Sequence, residues 1–405
     1  MKALNPRQHS AVRYLDGPLL VLAGAGSGKT SVITRKIAYL INECGYQPYH
    51  IAALTFTNKA AREMKDRVNQ LLKGKNSRGL IISTFHHLGL TIIRKECGHM
   101  GLKSSFSIFD ETDCLSLLKE LMLKDVDTAD DQLRRLGGII SRFKNQFLTP
   151  AQALAVAATP EEALAARVYE DYQRSLRAFN AVDFDDLILL PAQVFQDKPE
   201  VLDKWRRHIR YLLVDEYQDT NNMQYNFVKQ LIGDRGCLTV VGDDDQSIYS
   251  WRGAKPENMS LLQEDYPSLN VIKLEQNYRS TNNILTAANA LIANNPHVFE
   301  KALWSEYGQG DQIRVLMTAN EEAEVERIAT EIHLLAAHRH LRFKDFAVLY
   351  RGNHQARLLE IQLQAQQLPY VLTGGTSFFA RTEIKDLMAY LRLLINPDDD
   401  NAEAG

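Results

Sequence analysis

The stretch Pro18–Ser31, PLLVLAGAGSGKTS, decides the fold of this chain. Its first six residues, Pro18–Ala23, are all apolar, which is typical of a parallel strand buried on both faces. Glycines at every second position from Gly24 follow, and they permit a tight backbone whose N–H groups converge on one phosphate. Thr30 and Ser31 then begin a helix, whose N-terminus favours anions. The order of strand, loop and helix predicts an α/β domain that binds phosphate.

The side chains of this loop indicate a nucleoside triphosphate. Lys29 can reach the β- and γ-phosphates, and the Thr30 hydroxyl can bind Mg²⁺. Ala23 stands where the pattern G-x-x-x-x-G-K-[ST] has its first glycine. A plain glycine-rich turn is the alternative, but all parts occur in the required order. For ATP and Mg²⁺ the predicted contacts are Ala23, Gly24, Ala25, Gly26, Ser27, Gly28, Lys29, Thr30 and Ser31.

The composition limits the class of protein. The chain has 405 residues, which allows two to four domains of about 100–200 residues each. Its net charge of −3 gives no sign of a polyanion partner, so any nucleic-acid site has to be a local groove. The four cysteines form no C-x-x-C pair and fit reduced thiols. No apolar run reaches the ~18 residues of a membrane span, so we expect a cytoplasmic protein without a membrane partner.

Strands and helices alternate on both sides of a long helical stretch. Apolar segments predict strands at Ile51–Phe56, Leu80–Thr84, Ile209–Val214 and Cys237–Gly242. Helices between them predict a parallel sheet with its ligand at the carboxyl ends of the strands. Helical spacing dominates from about 91 to 207, where we expect a helical insertion.

A second set of strands and helices follows. Strands are predicted at Ile313–Met317, Phe346–Tyr350 and Tyr370–Thr373, with helices at Glu321–Ala337 and Gln355–Gln367 between them. This set contains no glycine-rich loop followed by lysine and threonine. We therefore expect a second α/β domain that lacks a phosphate loop.

An acidic pair ends the strand Ile209–Val214. Asp215 can hold Mg²⁺ through its water shell, and Glu216 can orient and deprotonate an attacking water. A strand with a solvated acidic end is the alternative, but the pair and the phosphate loop occur together in the expected order. Gln246, near the end of the next strand, can sense a terminal phosphate.

Aromatic residues near strand ends indicate a nucleic-acid site. Tyr249 and Trp251 offer planar faces for stacking bases, and Arg252 supplies a charge for phosphate. Taken alone, Trp251 is better explained by core packing. Phe56 and His86 are likewise a core aromatic and a satisfied polar group when they are considered singly.

Other polar residues have weaker interpretations. Lys144 and the pair Arg134 and Arg135 could touch a phosphate backbone, but a solvated face is favoured. The acidic segment Asp183–Asp186 resembles a metal cluster, although acidic residues that open a helix explain it without a metal. Gln8 could bond an adenine edge, but alone it is better explained as a solvated surface residue.

The motifs taken together identify a family. The chain contains, in order, AGAGSGKT, TFTNKAA, ISTFHHLG, LLVDEYQDT, VVGDDDQSIYSWRGA and LEQNYRS. From Leu4 to about Asp400 it closely resembles superfamily 1 DNA helicases of the UvrD, PcrA and Rep group. The resemblance implies a RecA-like P-loop NTPase motor domain, a parallel sheet with helices on both faces, with a helical insertion and an incomplete second RecA-like domain. It also implies 3′ to 5′ movement on single-stranded DNA.

The resemblance divides the chain into domains. Residues 1–90 and 208–277 would form motor 1A, 91–207 insertion 1B, 278–375 the first part of motor 2A, and 376–405 the start of insertion 2B. The family's motifs V and VI follow 2B and are absent here, so we expect an amino-terminal portion of a replication or repair helicase that hydrolyses ATP slowly. A non-enzymatic module that binds ATP and single-stranded DNA is the alternative.

The resemblance also assigns roles around the nucleotide. Gln8 and Tyr278 would contact adenine, and Arg35 would lie beside the nucleotide. Arg279 and Gln246 would contact the γ-phosphate. The implied catalytic residues are Lys29, Glu216, Gln246 and Arg279.

A DNA track is implied as well. Single-stranded DNA and junctions between single and double strands are the expected partners, with self-association on DNA. Protein partners in replication or repair stay unidentified. The residues that match the family's track are Phe56, Asn58, His86, Tyr249, Trp251 and Arg252.

Overall fold

The computed structural model describes residues 4–74, 77–122, 130–297, 299–373 and 382–398. The chain divides into two compact units, one of Met1–Asp311 with Arg392–Gly405 and one of Gln312–Leu391. Among the described residues, no helix combines the length and the apolar character that crossing a membrane requires.

The first unit is built on a parallel sheet. Its strands lie in the order β3-β2-β6-β7-β1-β8, and a separate pair consists of β4 and β5. The strands and helices named here and below belong to the described residues. The strands are β1 (Leu19–Ala23), β2 (Ile51–Thr55), β3 (Ile81–Thr84), β4 (Ser107–Ile108), β5 (Ala181–Val182), β6 (Tyr211–Val214), β7 (Leu238–Gly242) and β8 (Asn270–Leu274).

The helices follow the strands along the chain. They are α1 (Pro6–Arg13), α2 (Lys29–Asn42), α3 (Asn58–Leu72), α4 (Phe85–Glu96), α5 (Glu111–Met122), α6 (Asp130–Asn145), α7 (Pro150–Val156), α8 (Pro160–Ala178), α9 (Asp186–Asp197), α10 (Pro199–His208), α11 (Asn222–Ile232), α12 (Asn258–Asp265), α13 (Asn282–Ile292), α14 (Glu321–Arg339), α15 (His354–Ala365) and α16 (Thr382–Ile395).

Helices cover both faces of the sheet. Leu20 and Leu22 of β1 belong to a core with α4, α9, α10 and α11. Leu19 and Val21 point to the opposite face, where α1, α2 and α3 pack. Successive strand residues face opposite sides, so both sides need apolar residues. This double burial explains the continuous apolar run of β1 and confirms the predicted fold class.

The helical stretch has two parts. Helices α5, α6, α7 and α8 form a separate core that includes Phe109, Leu118, Ile140 and Tyr169. Helices α9 and α10 also fall within the predicted insertion 91–207, yet they pack on the sheet. The chain therefore returns to the sheet well before β6 begins.

Lys144 is buried inside the helical stretch, so the predicted solvated face is wrong for this residue. Its Nζ lies 2.6 Å from Asp183 Oδ2 and 2.8 Å from Asp186 Oδ1. Burial opposes the charge of the ammonium, but these carboxylates raise the pKa of Lys144 above its usual range. The ammonium of Lys144 thus neutralises Asp183 and Asp186 at the position that a metal ion would occupy.

The second unit is held by α14 and α15, which pack around Ala329, Leu359 and Leu363. The predicted strands at 313–317, 346–350 and 370–373 are wrong for the described residues, since these segments join no ladder. An apolar segment becomes a strand only when a neighbour accepts its hydrogen bonds. Leu349, for example, is 93% exposed.

Candidate functional site

The loop between β1 and α2 has a backbone that only glycine fits. Gly26 and Gly28 have φ angles of 71° and 92°, in the left-handed region. A Cβ on Gly28 would lie 2.7 Å from Gln8 Nε2, and one on Gly26 would lie 2.6 Å from Asn277 Nδ2. A larger residue at either position would thus have to displace one of these side chains and adopt a strained backbone.

Three predicted site residues meet at the carboxyl edge of the sheet. Lys29 Nζ donates a hydrogen bond of 2.7 Å to Glu216 Oε2 and one of 3.3 Å to Gln246 Oε1. Lys29 begins α2, Glu216 follows β6, and Gln246 lies in the turn after β7. Parallel strands bring these ends together, as expected for a ligand site in an open α/β sheet.

Gln218 holds Glu216 in place, and the sequence interpretation missed this residue. Its Nε2 donates to Glu216 Oε2 at 3.0 Å, and its Oε1 accepts from Asp243 N at 3.0 Å. Glu216 itself has a left-handed φ of 51°, which is uncommon for a residue other than glycine. The segment Tyr217-Gln218-Asp219 directly after the acidic pair was the available signal.

The carboxyl groups of Asp215 and Asp219, beside Glu216, both have raised pKa values. Burial, followed by the nearby charge of Glu216, raises the pKa of Asp215 to about 7. The same two causes raise the pKa of Asp219 to about 6. Asp219 Oδ1 is buried and has no hydrogen-bond partner among the described residues. Carboxylate and hydroxyl oxygens are ligands that Mg²⁺ prefers, so Asp215, Asp219 and Thr30 at the start of α2 are the residues that could hold this ion.

Gln8 is buried, so the interpretation as a solvated surface residue is wrong. Its Nε2 donates to Ser27 O at 2.8 Å, and its Oε1 accepts from Asn5 N at 3.0 Å. Asn5 Nδ2 in turn donates to Tyr278 Oη at 2.8 Å. The two residues to which the family resemblance gives an adenine contact are therefore joined through Asn5.

The segment after β8 lies against the phosphate loop. Tyr278 N donates to Gly26 O at 2.9 Å, and Asn277 Nδ2 donates to Ala25 O at 2.6 Å. Asn277 Oδ1 accepts from Arg279 N at 2.8 Å, which fixes the backbone of Arg279 beside the loop. Tyr278 and Arg279 therefore lie close to the residues predicted to bind phosphate.

The other predicted nucleotide contacts belong to the same strand, loop and helix. Ala23 is the buried last residue of β1, and Ser27 Oγ donates to Gly24 O at 2.7 Å. Ser31 and Arg35 lie half-buried on α2. Their positions along α2 place Ser31 in its first turn and Arg35 in the second.

The aromatic pair after β7 is exposed. Trp251 is 65% exposed, so the core-packing alternative is wrong for this residue. The rings of Tyr249 and Trp251 lie with centroids 6.4 Å apart and a 54° angle between their planes. Arg252 ends the same short turn, Ser250–Arg252. Two exposed aromatic faces on one turn are a feature of single-strand binding surfaces.

Further candidates lie at the carboxyl ends of β2 and β3. Phe56 packs against Phe85 with ring centroids 5.5 Å apart, while Asn58 is exposed at the start of α3. His86 is half-buried, and burial lowers its pKa. Its ring lies edge-on, 6.2 Å from the ring of Phe184, which is largely exposed and which the sequence interpretation passed over.

Comparison with known proteins places these features in context. The family model for the UvrD/REP helicase N-terminal domain matches residues 4–267, and that for the UvrD-like helicase C-terminal domain matches residues 272–404. The chain is 58% identical to ATP-dependent DNA helicase Rep of Salmonella typhimurium and of Escherichia coli, over 98% of this chain and 59% of each relative. It is 46% identical to ATP-dependent DNA helicase PcrA of Bacillus subtilis, over 99% of this chain and 54% of that protein. The chain thus spans less than two thirds of the length of these relatives.

Proposed function

Because this chain belongs to the UvrD/REP helicase family, we propose that it carries the ATP-driven motor of a DNA helicase. On this proposal, ATP hydrolysis drives 3′ to 5′ movement on single-stranded DNA during replication or repair. The names of the Rep and PcrA relatives support an ATP-dependent DNA helicase. The observation that carries the proposal is the meeting of Lys29, Glu216 and Gln246 at one edge of the sheet.

These residues have complementary tasks at a triphosphate. Lys29 bonds the β- and γ-phosphate oxygens, and Glu216 competes with those oxygens for the same ammonium. Once Lys29 has turned to phosphate, the Glu216 carboxylate is able to accept a proton from the attacking water. Gln218 keeps that carboxylate oriented, and Gln246 senses the terminal phosphate.

Asp215 and Thr30 would hold Mg²⁺. When bound, the ion neutralises charge on the β- and γ-phosphates. Asp215 has to be ionised for this task, and its burial makes the ionised state depend on a nearby positive charge. Asp219 adds a second, half-buried carboxylate near Glu216 and Lys29.

The segment after β8, together with α1, would contact the adenine base and the γ-phosphate of ATP. The bonds from Tyr278 and Asn277 to the loop support placing Tyr278 on the adenine ring and Arg279 at the γ-phosphate. The buried Gln8 supports a specific rather than a solvated position near adenine. The role of Arg35 rests on the family resemblance.

Single-stranded DNA would lie along the carboxyl edge of the first sheet. The exposed faces of Tyr249 and Trp251 support base stacking there, and Phe184 extends the aromatic surface beside His86. Preference for junctions and self-association on DNA rest on the resemblance alone. The residues proposed for the track are Phe56, Asn58, His86, Phe184, Tyr249, Trp251 and Arg252.

Phosphate release measured with and without oligo-dT tests this function. We expect slow release that disappears in Glu216→Gln, because an amide cannot accept the proton of water. Glu43→Gln, at the far end of α2, is the matched control and should behave like the parent. Equal release by Glu216→Gln and the parent would refute the role of Glu216. Binding of ATP and DNA without any release would favour the non-enzymatic module.

A further inference from the structure

Lys301 lies in a buried group of three carboxylates. Its side chain is 3% exposed, and its Nζ lies 2.8 Å from Asp243 Oδ1 and 2.9 Å from Asp245 Oδ2. It also pairs with Asp244 Oδ1. Carboxylates this close to one another repel, so the ammonium is what allows the turn after β7 to keep this conformation.

Neighbours of Lys301 hold the same turn. The backbone N of Phe299 donates to Asp244 Oδ2 at 3.2 Å, and His297 Nδ1 lies 3.0 Å from Asp245 Oδ1. The segment around Lys301 therefore approaches the turn through several groups. Among the residues that the structure describes, Lys301 alone contacts all three carboxylates of the turn.

The turn that Lys301 contacts, after β7, leads directly into the nucleotide site. Asp243 Oδ2 accepts a hydrogen bond from Gln246 Nε2, and Gln246 Oε1 lies 3.3 Å from Lys29 Nζ. Polar contacts thus run without a gap from Lys301 through Asp243 and Gln246 to Lys29. A change in the position of Asp243 would change which way the Gln246 amide faces.

The same turn continues into the aromatic pair. Tyr249 follows Gln246 by three residues, and Ala254 N closes the segment by donating to Tyr249 O at 3.2 Å. Trp251 lies between them on an exposed short helix. The turn that Lys301 contacts and both aromatic residues therefore belong to one continuous segment, 243–254.

We propose that Lys301 is a positioning residue that couples the nucleotide site to the aromatic pair by fixing the turn from Asp243 to Gln246. The inference rests on the proposed function, because it requires the chain to bind both ATP and single-stranded DNA. A purely structural ion pair would change stability alone, whereas a coupling residue changes how strongly one ligand affects the other.

The test measures this coupling directly. The dissociation constant of a fluorescent, non-hydrolysable ATP analogue with Mg²⁺ is measured with and without saturating oligo-dT, for the parent, Lys301→Met and Lys301→Arg. The coupling ratio is the dissociation constant without oligo-dT divided by the one with oligo-dT. We expect this ratio to differ from one by about fivefold or more for the parent, and by less than about twofold for Lys301→Met. Lys301→Arg keeps the charge and should keep most of the coupling.

Lys273→Met is the matched control. Lys273 Nζ donates to Glu300 O at 2.6 Å, so it contacts the segment beside Lys301 but none of the three carboxylates. Its ratio should equal that of the parent. Circular dichroism identifies folded variants, and if Lys301→Met does not fold, Asp245→Asn takes its place, since it removes one contact and should lower the ratio in part.

The outcomes separate this inference from the proposed function. A parent that binds neither ligand overturns the proposed function, and the role of Lys301 falls with it. A parent that binds both ligands, with an unchanged ratio in folded Lys301→Met or in Asp245→Asn, overturns only the role of Lys301. A parent that binds both without coupling overturns the role of Lys301 as well.

Discussion

Glu216→Gln should tighten the binding of a non-hydrolysable ATP analogue while it abolishes hydrolysis. Glu216 Oε2 lies 2.7 Å from Lys29 Nζ, so a phosphate that takes the ammonium has to replace this ion pair. A glutamine amide has no charge and holds the ammonium less strongly. The variant therefore starts with Lys29 more available to phosphate.

The size of the effect follows from the geometry and the exposure. At the 2.7 Å between Lys29 Nζ and Glu216 Oε2, two unit charges attract by about 6 kcal/mol at an effective dielectric constant of 20, which sets an upper limit. The Glu216 side chain is 36% exposed, so solvent screens much of this attraction. Exposed ion pairs contribute about 0.2–1 kcal/mol, and we expect a value near the top of that range. About 1 kcal/mol corresponds to roughly fivefold tighter binding.

Isothermal titration calorimetry of the analogue with Mg²⁺ measures this change. Glu43→Gln removes the same charge at the C-cap of α2, about 21 Å along the helix from Lys29. That distance exceeds the Debye length of about 8 Å at physiological salt, so the control should bind like the parent. Unchanged or weaker binding by Glu216→Gln would show that the ion pair does not compete with phosphate.

Three further predictions concern the DNA surface and two buried lysines. Trp251→Ala should weaken oligo-dT binding by about 1–3 kcal/mol in fluorescence anisotropy, and an unchanged titration would contradict the stacking role. Lys144→Met leaves Asp183 and Asp186 buried without their cation, so urea denaturation should show a loss of about 3–5 kcal/mol; a loss within error would refute this. Burial lowers the pKa of Lys36 to about 7, so above pH 7 the unfolded chain binds more protons than the folded one. The free energy of unfolding should then rise with pH from 7 to 9 by up to about 1.4 kcal/mol per unit, and equal slopes for the parent and Lys36→Met would contradict it.

Much of the fold was predictable because the sheet imposes a local pattern. A strand covered on both faces has to be apolar at every position, and β1 shows this directly in the sequence. The motif order predicted the family, and the matches to the UvrD-like helicase models and to the Rep and PcrA relatives confirm it. The residues that gather at the carboxyl edge follow from the same strand order.

The rest depended on contacts between residues far apart in the sequence. Lys144 meets carboxylates about 40 positions away, so the sequence pattern alone favoured a solvated face. Lys301 and its three aspartates are separated still further. Considered as single residues, Gln8 was predicted to be solvated and Trp251 to be in the core. Both predictions were wrong, because burial depends on the fold around a residue. The three predicted strands of the second unit lack partners among the described residues, which no local pattern reveals.

The central claim is that Lys29 is the phosphate-binding residue of an ATP site. Calorimetric titration of an ATP analogue with Mg²⁺ into the parent, Lys29→Ala and Lys65→Ala tests it most directly, because Lys65 is an exposed lysine on α3 and serves as the matched control. A charged hydrogen bond contributes about 1.5–3 kcal/mol, so Lys29→Ala should lose at least about tenfold in affinity while Lys65→Ala matches the parent. Equal affinities in the parent and a folded Lys29→Ala variant would contradict the account.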